Sequence, residues 1–224
     1  MKEEFNIVEY IKRYYELSAH DPNHRYKSWE HCYSYFTENQ PNIEIACLHL
    51  AFFLASWGMY RGSSFLLQKD YLIHKKAVEH LLSIRKSYGQ HDYSRKDPKF
   101  VEELHHLINL IKKIYVDSIE IVNGTTQQVN VTNTLATKIL LGSLGCVPAF
   151  DRFFVEGLRL VGLGYYNLDK RKLTSIFDFY IKHQGEFDEA NKYILNKGGI
   201  NYPPMKLVDM FFWQIGYEQA ADIE

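Results

Sequence analysis

The sequence predicts an all-α fold in one compact unit that covers residues 1–224. Apolar residues recur three and four positions apart along most of the chain, and this spacing places them on one face of a helix. Turns rich in Gly, Pro and Asn separate the periodic segments. No internal repeat, low-complexity tract or shift in composition marks a linker, so the pattern favours a single domain.

The first half of the chain carries five predicted helices, at about 5–15, 29–36, 43–59, 65–88 and 99–122. The third has apolar residues on nearly all sides, which predicts a central position in the core. The fourth sets Leu66, Val78 and Leu81 against a basic outer face. The fifth is long and amphipathic, and Asn123-Gly124 after it is the strongest turn signal in the chain.

The second half begins with a polar segment, Thr125 to Asn133, which predicts a loop or a short extended piece. A helix follows from Leu135, and four more are predicted at about 151–162, 170–184, 186–195 and 205–217. The residues from Gly198 to Pro204 form a stiff connector before the last helix, because two consecutive prolines fix the backbone there.

Composition and charge limit the ways in which the chain could bind nucleic acid. The chain has 26 Lys and Arg residues against 27 Asp and Glu residues, so its formal net charge is −1. Any nucleic-acid surface must therefore come from local clustering of basic residues. Aromatic residues make up 15% of the chain, which provides large core side chains and also groups that stack on unpaired bases.

Other features bear on location and partners. The three cysteines have no close spacing and no metal-ligand pattern occurs, so neither disulfides nor a metal site is predicted. The N-terminus is amphipathic and does not resemble a signal peptide. The longest apolar stretch, Ile45 to Met59, is too short to cross a bilayer. We therefore expect a cytoplasmic monomer with no membrane partner and no cofactor.

The segment that indicates chemistry is LATKILLGSLGCVPAFDRFF, residues 135–154. A helix stops at a Gly-Cys-Val-Pro turn, and Asp151 stands at the N-cap position of the next helix. Lys138 and Arg152 flank this carboxylate in the sequence. Two helices joined by such a turn can present N–H donors to a phosphate and an acid to a nearby sugar. The alternative interpretation of Asp151 is an ordinary helix cap.

These residues resemble a known family. The pattern of ATK, a Gly-containing turn and PAFDRFF is similar to the segment that ends in the aspartate of helix-hairpin-helix DNA glycosylases, in particular proteins of the 8-oxoguanine DNA glycosylase fold. LASWGMYRGSS at 54–64 and LVDMFFWQIG at 207–216 are similar to segments of the bacterial and archaeal branches. Together the three stretches cover about a fifth of the chain. The resemblance implies a compact glycosylase-like fold with a hairpin element at about 133–163 and a central cleft.

The resemblance also implies an activity. In that family the aspartate acts on the sugar of a nucleotide flipped out of the duplex. Asp151 would then activate a water molecule or stabilise the positive charge that develops at C1′ as the base leaves. The implied protein is a DNA-binding glycosylase of DNA repair (base excision) or phage defence that releases a damaged or modified base. A hypermodified base of foreign DNA is one substrate class.

One departure from the family concerns the lysine. Members with lyase activity carry a lysine nucleophile, and Lys138 resembles it but lies too close to Asp151 in the sequence. The position that corresponds to the family's lysine falls within residues 130–134, which contain no lysine. Asn133 and Thr134 in this stretch are candidates to position water or phosphate. The hairpin glycines are also missing. The sequence therefore favours hydrolysis assisted by Asp151, with Lys138 as a second catalytic candidate or a phosphate contact.

Four further residues are candidates for contacts with substrate or DNA. Arg61 and Ser63 lie in a glycine-bracketed loop, and Arg61 can enter the base stack or pair with a carboxylate. Trp57 is either a core residue or a platform for a base. Arg152 is either a solvated charge or a phosphate ligand.

Two other functions stay open from the sequence alone. A non-catalytic helical module that binds nucleic acid or protein agrees with the near-neutral charge and with the missing hairpin glycines. A hydrolase of another N-glycosidic substrate, such as a nucleotide, would use the same carboxylate chemistry.

Overall fold

The computed structural model describes residues 5–62, 64–89, 91–119, 121–122, 125–126, 129–164 and 167–221. The α-helices within these ranges are α1 (Ile7–Ala19), α2 (Lys27–Thr37), α3 (Ile43–Ser56), α4 (Lys75–Gly89), α5 (Pro98–Ser118), α6 (Asn133–Ser143), α7 (Arg152–Leu160), α8 (Lys170–Lys182), α9 (Gln184–Asn196) and α10 (Pro204–Ala221). Two 3₁₀ turns, Phe65–Gln68 and Tyr71–His74, lie between α3 and α4. Strands β1 (Ile121–Val122) and β2 (Thr125–Thr126) form a short antiparallel pair. The predicted all-α class is confirmed.

Side-chain caps fix where several helices begin. The residue before the helix accepts a hydrogen bond from a backbone N–H of the first turn, which would otherwise lack a partner within the helix. The capping residues are Asn6 before α1, Asn42 before α3, Thr132 before α6, Asp151 before α7 and Asp169 before α8.

The chain groups into two compact units. The first contains Met1–His24, Asp92–His105 and Cys146–Glu224, and the second contains Arg25–His91 and His106–Gly145. Helix α5 contributes its first turns to the first unit and the remainder to the second. The sequence predicts a single domain because no repeat, low-complexity tract or shift in composition marks a linker, and such local signals carry no information on how helices group in space.

A close crossing of α7 and α10 lies at the centre of the first unit. A Cβ atom at Gly157 would fall 1.9 Å from the carbonyl oxygen of Phe212, and one at Gly216 would fall 2.0 Å from that of Phe153. Only a hydrogen atom fits at either position, so the two backbones are in contact. Residues 205–216 of α10 are buried throughout, and α1 and α9 also pack against this helix.

In the second unit α3 packs against α2, α4 and α6. Trp29, Phe36 and Phe53 are buried there, and the indole N–H of Trp29 donates to the carbonyl of Leu141 at 2.9 Å. This bond satisfies the polar atom of a side chain that is otherwise enclosed by apolar groups.

A buried histidine joins three segments of the second unit. The Nε2 atom of His74 lies 2.7 Å from the hydroxyl of Tyr60, and its Nδ1 lies 2.6 Å from the hydroxyl of Tyr115. Burial lowers the pKa of His74 to about 3 and raises that of Tyr115 well above its ordinary value. The chain of three rings is therefore neutral at physiological pH, and it ties the loop after α3 to α5.

The structure differs from the sequence prediction in two segments. Residues 65–74, predicted as the start of the fourth helix, form the two 3₁₀ turns. The side chains of Ser64 and Asp70 accept hydrogen bonds from nearby backbone N–H groups, and these local bonds compete with an α-helix. Helix α3 is not enclosed on all sides as expected, because Ile45, Leu48 and Phe52 are exposed.

The Asn123-Gly124 turn lies outside the described residues. Among the helices that are described, none combines the length and the apolar character needed to cross a membrane.

Candidate functional site

Asp151 caps helix α7, as the sequence predicts. Its backbone is extended (φ −96°, ψ 178°), and its Oδ1 accepts hydrogen bonds from the N–H groups of Phe153 at 3.2 Å and Phe154 at 3.1 Å. The side chain is partly buried. The positive end of the helix dipole favours a carboxylate at this place. The two bonds fix the orientation of the Asp151 carboxylate.

The residues before Asp151 form a fully buried connection. Every residue from 135 to 150 is buried, and Gly145 adopts the left-handed conformation (φ 62°) that ends α6. The N–H groups of Leu144 and Gly145 donate to the carbonyl of Leu140, at 2.9 and 3.0 Å. The Tyr93 hydroxyl donates to the carbonyl of Cys146 at 3.3 Å. Asp151 is therefore the first partly exposed residue after a fully buried segment.

A buried ion pair on α10 holds the same turn. Asp209 Oδ1 accepts from the backbone N–H of Ala149 at 2.9 Å, and its Oδ2 accepts from the ammonium group of Lys206 at 2.9 Å. Lys206 also donates to the Tyr14 hydroxyl at 3.1 Å. Lys206 and Asp209 are only 2% and 3% exposed. A buried charge is tolerated when it is paired and hydrogen-bonded in this way.

The carboxylates of Asp151 and Asp209 interact electrostatically. Burial raises the pKa of Asp209 above its ordinary value, the Lys206 ammonium opposes that rise, and the negative charge of Asp151 adds to it. The first unit thus brings together Asp151, Asp209 and Lys206, of which only Asp151 is partly open to solvent.

Sequence reasoning did not single out Lys206 and Asp209 as a pair. The feature of the sequence that could have indicated the pair is its spacing. Lys206 and Asp209 are oppositely charged and lie three positions apart in an otherwise apolar helix. Such a pair is usually a surface ion pair. Its burial depends on Tyr14, which lies 192 residues from Lys206 in the sequence.

Arg152 follows Asp151 on the surface of the first unit. It is exposed, and its guanidinium carbon lies 4.3 Å from the centroid of the Phe153 ring. This cation–π contact orients the side chain and leaves the charge at the surface, where a phosphate could approach.

Trp57 and Lys138 are neighbours in the second unit. Trp57 is half-buried at the end of α3, and its ring stacks on Tyr26 at 4.8 Å with an interplanar angle of 20°. The ammonium group of Lys138 donates to the Trp57 carbonyl at 3.2 Å and lies 5.4 Å from the indole centroid. Arg25 lies 5.6 Å from the same centroid. The sequence left both roles of Trp57 open, and in the structure its half-buried ring packs on the buried ring of Tyr26 with two cations close to it.

Lys138 is 4% exposed, so it is a buried charge rather than a surface one. Trp57 is the C-cap residue of α3, and its carbonyl is among those that the helix cannot pair internally. Lys138 therefore stabilises the end of α3. A lysine bound in this way favours a structural role over a nucleophilic one.

Arg61 lies in an exposed loop between two glycines with positive φ, Gly58 (72°) and Gly62 (57°). Its side chain folds back over Gly58, where a Cβ atom would fall 3.3 Å from the guanidinium carbon. Glycine at position 58 thus permits both the turn and the close approach of Arg61. Ser63, the other candidate in this loop, lies outside the described residues.

Asn133 and Thr134 form the first turn of α6 and are partly buried. The ammonium group of Lys112 on α5 donates to Asn133 Oδ1. Burial lowers the pKa of Lys112 below its ordinary value. No local pattern in the sequence indicates this contact, because Lys112 lies on a different helix and 21 positions away.

The candidates predicted from sequence thus divide between the units. Asp151 and Arg152 belong to the first unit, and Trp57, Arg61, Lys138, Asn133 and Thr134 belong to the second. Across the part of the chain that the structure describes, no group of three or more His, Cys, Asp or Glu side chains could hold a metal ion.

Comparisons with known proteins give no further indication of family. No family model, curated protein or solved structure matches the chain.

Proposed function

We propose that this chain is a DNA N-glycosylase that hydrolyses the bond between a damaged or modified base and its deoxyribose. The observation that supports the proposal is the placement of Asp151. Its partly buried carboxylate is fixed by two backbone N–H groups at the end of a buried turn, and Asp209, paired with Lys206, accepts a hydrogen bond from the backbone of that turn. The proposal includes a helix-hairpin-helix-type element at about 133–163 and a cleft that admits a flipped nucleotide.

The chemistry follows from a fixed negative charge near the sugar. As the N-glycosidic bond breaks, its electron pair leaves with the base and positive charge develops at C1′. The Asp151 carboxylate stabilises that charge. It also accepts a proton from the attacking water, whose oxygen bonds to C1′, and the proton passes on to the departing base. The nucleotide must leave the base stack first, because C1′ is shielded inside a duplex.

In this proposal the second unit contacts DNA and takes no covalent part. The half-buried ring of Trp57, backed by the buried ring of Tyr26, is the candidate surface for an unstacked base. Arg61 is an exposed cation suited to phosphate, as is Arg152 of the first unit. Asn133, Thr134 and Ser63 remain candidate phosphate or water contacts. Lys138 is assigned to the end of α3, so hydrolysis rather than Schiff-base chemistry is proposed.

The direct test is release of free base. The purified chain is incubated with genomic DNAs that carry different base modifications, including hypermodified bases of phage DNA, and released bases are identified by mass spectrometry. We expect one modified base to be released and the unmodified DNA to be left intact. Failure to release a base from any of these DNAs would contradict the proposal.

A non-catalytic module that binds nucleic acid is the second candidate. The burial of Lys138 against Trp57 favours it, because one of the two predicted catalytic residues has a structural partner. Gel shifts at increasing salt concentration separate the two candidates when combined with the base-release assay. Salt-dependent binding without base release indicates the module, since phosphate contacts weaken as salt is added.

A further inference from the structure

The loop after α3 presents a cation that the protein itself does not neutralise. Arg61 is exposed, and no carboxylate in the described part of the chain forms an ion pair with it. The sequence left open whether Arg61 pairs with a carboxylate, and within the described residues it does not. An exposed arginine on a loop is able to bind an anionic partner, provided that the loop holds it in place.

The side chain of Tyr60 anchors the middle of this loop. Its hydroxyl oxygen lies 2.7 Å from Nε2 of His74, and Nδ1 of His74 lies 2.6 Å from the hydroxyl of Tyr115 on α5. His74 and Tyr115 are both 0% exposed, and all three residues belong to the second unit. The residue beside Arg61 is therefore tied to a long helix through a buried ring.

The donors and acceptors of these two hydrogen bonds follow from what each group can offer. A neutral imidazole has one N–H group and one nitrogen without hydrogen, so His74 donates to one tyrosine and accepts from the other. Among the described residues, the Tyr115 hydroxyl has no hydrogen-bond partner except His74 Nδ1. If Tyr115 accepted the bond from His74, its own O–H would be buried without an acceptor, which is costly.

Tyr115 therefore donates to Nδ1, and the single ring proton of His74 lies on Nε2. The Nε2–H group then donates to the hydroxyl oxygen of Tyr60. Tyr60 is partly exposed, so water can accept the hydrogen of its hydroxyl. In this arrangement no donor of the three rings is left without an acceptor. The buried tyrosine thus selects one tautomer of the histidine.

We propose that Tyr60, held by the Nε2–H tautomer of His74, is a positioning residue that places Arg61 for contact with a phosphate group of DNA. The role rests on the proposed contact of the second unit with DNA and not on the chemistry at Asp151. A loop that is fixed before the ligand arrives loses less conformational entropy on binding. The guanidinium group of Arg61 also folds back over Gly58, so its position depends on the backbone that Tyr60 anchors.

The first test determines the tautomer by nitrogen-15 NMR of the free chain. The ring signals of His74 are assigned by their loss in His74→Gln. We expect Nε2 to carry the proton and Nδ1 to show the shift of a nitrogen that accepts a hydrogen bond. A proton on Nδ1, or signals averaged over both tautomers, would overturn the assigned hold on Tyr60. This measurement needs no DNA.

The second test measures the affinity of the full chain for a short unmodified DNA duplex at several salt concentrations. Each phosphate contact contributes about 0.9 to the slope of log K against log salt. Arg61→Gln should lower the slope by that amount, which corresponds to about eightfold weaker binding at about 0.1 M salt. Tyr60→Phe should cause the same loss, and the double variant should bind no more weakly than Arg61→Gln alone, because both changes remove one contact.

Tyr35→Phe is the matched control for the lost hydroxyl. Tyr35 is a partly exposed tyrosine of the same unit, and its hydroxyl accepts a hydrogen bond from the N–H group of Asn42 at 2.9 Å, at the start of α3. We expect this variant to keep the wild-type slope and affinity. Equal weakening by Tyr35→Phe would show that the loss does not depend on the Arg61 loop, and it would overturn the positioning role.

The remaining outcomes separate the two proposals. A wild-type chain that does not bind the duplex, or an unchanged slope in Arg61→Gln, would overturn the phosphate contact. Additive losses in the double variant, or a wild-type slope in Tyr60→Phe, would overturn the positioning role of Tyr60. The expected binding pattern without release of any base would contradict the glycosylase and would leave the role of Tyr60 supported.

Discussion

The crossing of α7 and α10 predicts that one substitution, glycine to alanine, has opposite effects at two positions. In Gly157→Ala the new Cβ would lie 1.9 Å from the carbonyl oxygen of Phe212 and 2.7 Å from its carbonyl carbon. Carbon–oxygen contacts are ordinarily about 3.3 Å or longer, so relieving a 1.9 Å contact requires a shift of about 1.4 Å. The obstructing atoms belong to the backbone, so no change of rotamer can relieve the clash.

Overpacking a core typically costs about 1–3 kcal/mol, and a clash with backbone belongs at the upper end, about 3 kcal/mol. Gly185→Ala in α9 is the matched control, because a Cβ there would meet no atom within 4 Å. Alanine is favoured over glycine inside a helix by about 0.5–1 kcal/mol. The control should therefore be slightly more stable than the wild type.

The free energy of unfolding is measured by urea titration followed by circular dichroism. Stability of Gly157→Ala within about 0.5 kcal/mol of the wild type would refute the close crossing. Equal destabilisation by Gly185→Ala would show that any added methyl group is harmful, whatever surrounds it. The crossing matters for the site because α7 begins at Asp151 and α10 carries Asp209.

Two further predictions concern buried polar groups of the second unit. Burial lowers the pKa of His74 to about 3 from 6.5, so the unfolded chain takes up the proton first; this contribution to stability is complete above pH 6.5 and decreases as the pH falls towards 3, by about 2 kcal/mol at pH 5. Between pH 7 and pH 5, urea titrations should show a loss in the free energy of unfolding that is larger by this amount in the wild type than in His74→Gln. An identical pH dependence in both proteins would contradict the assignment to His74. Lys138→Met should lower stability by about 1–2 kcal/mol through loss of the bond to the Trp57 carbonyl and the contact with its ring. If Lys138→Met remained fully stable but no longer released base, Lys138 would belong to the chemistry instead.

Local signals in the sequence were sufficient for most helices and for the Asp151 cap. An aspartate after a Pro-containing turn and before an apolar run is recognised by residue type alone, and Asp151 accepts the two N–H bonds that this pattern predicts. Residues 65–74 were not predictable from the same periodicity. The side chains of Ser64 and Asp70 each accept a hydrogen bond from a nearby backbone N–H group, and these bonds favour 3₁₀ turns over an α-helix in that segment.

The surroundings of the candidate site depend on contacts between distant residues. Lys138 reaches the carbonyl of Trp57 across 81 positions, and Lys206 reaches Tyr14 across 192. No spacing rule connects such pairs. The apolar character of α3 was evident in the sequence, but which face remains exposed follows only from the packing of the neighbouring helices.

The central claim is that the Asp151 carboxylate acts in base release as well as in capping. Asn caps a helix about as well as Asp, so Asp151→Asn should keep the melting temperature of the wild type. Asp169→Asn is the matched control, because Asp169 caps α8 in the same way. The most direct measurement is the single-turnover rate of base release by the wild type and both variants. We expect Asp151→Asn to slow release at least about 100-fold and Asp169→Asn to leave it unchanged, whereas undiminished release by Asp151→Asn would contradict the claim.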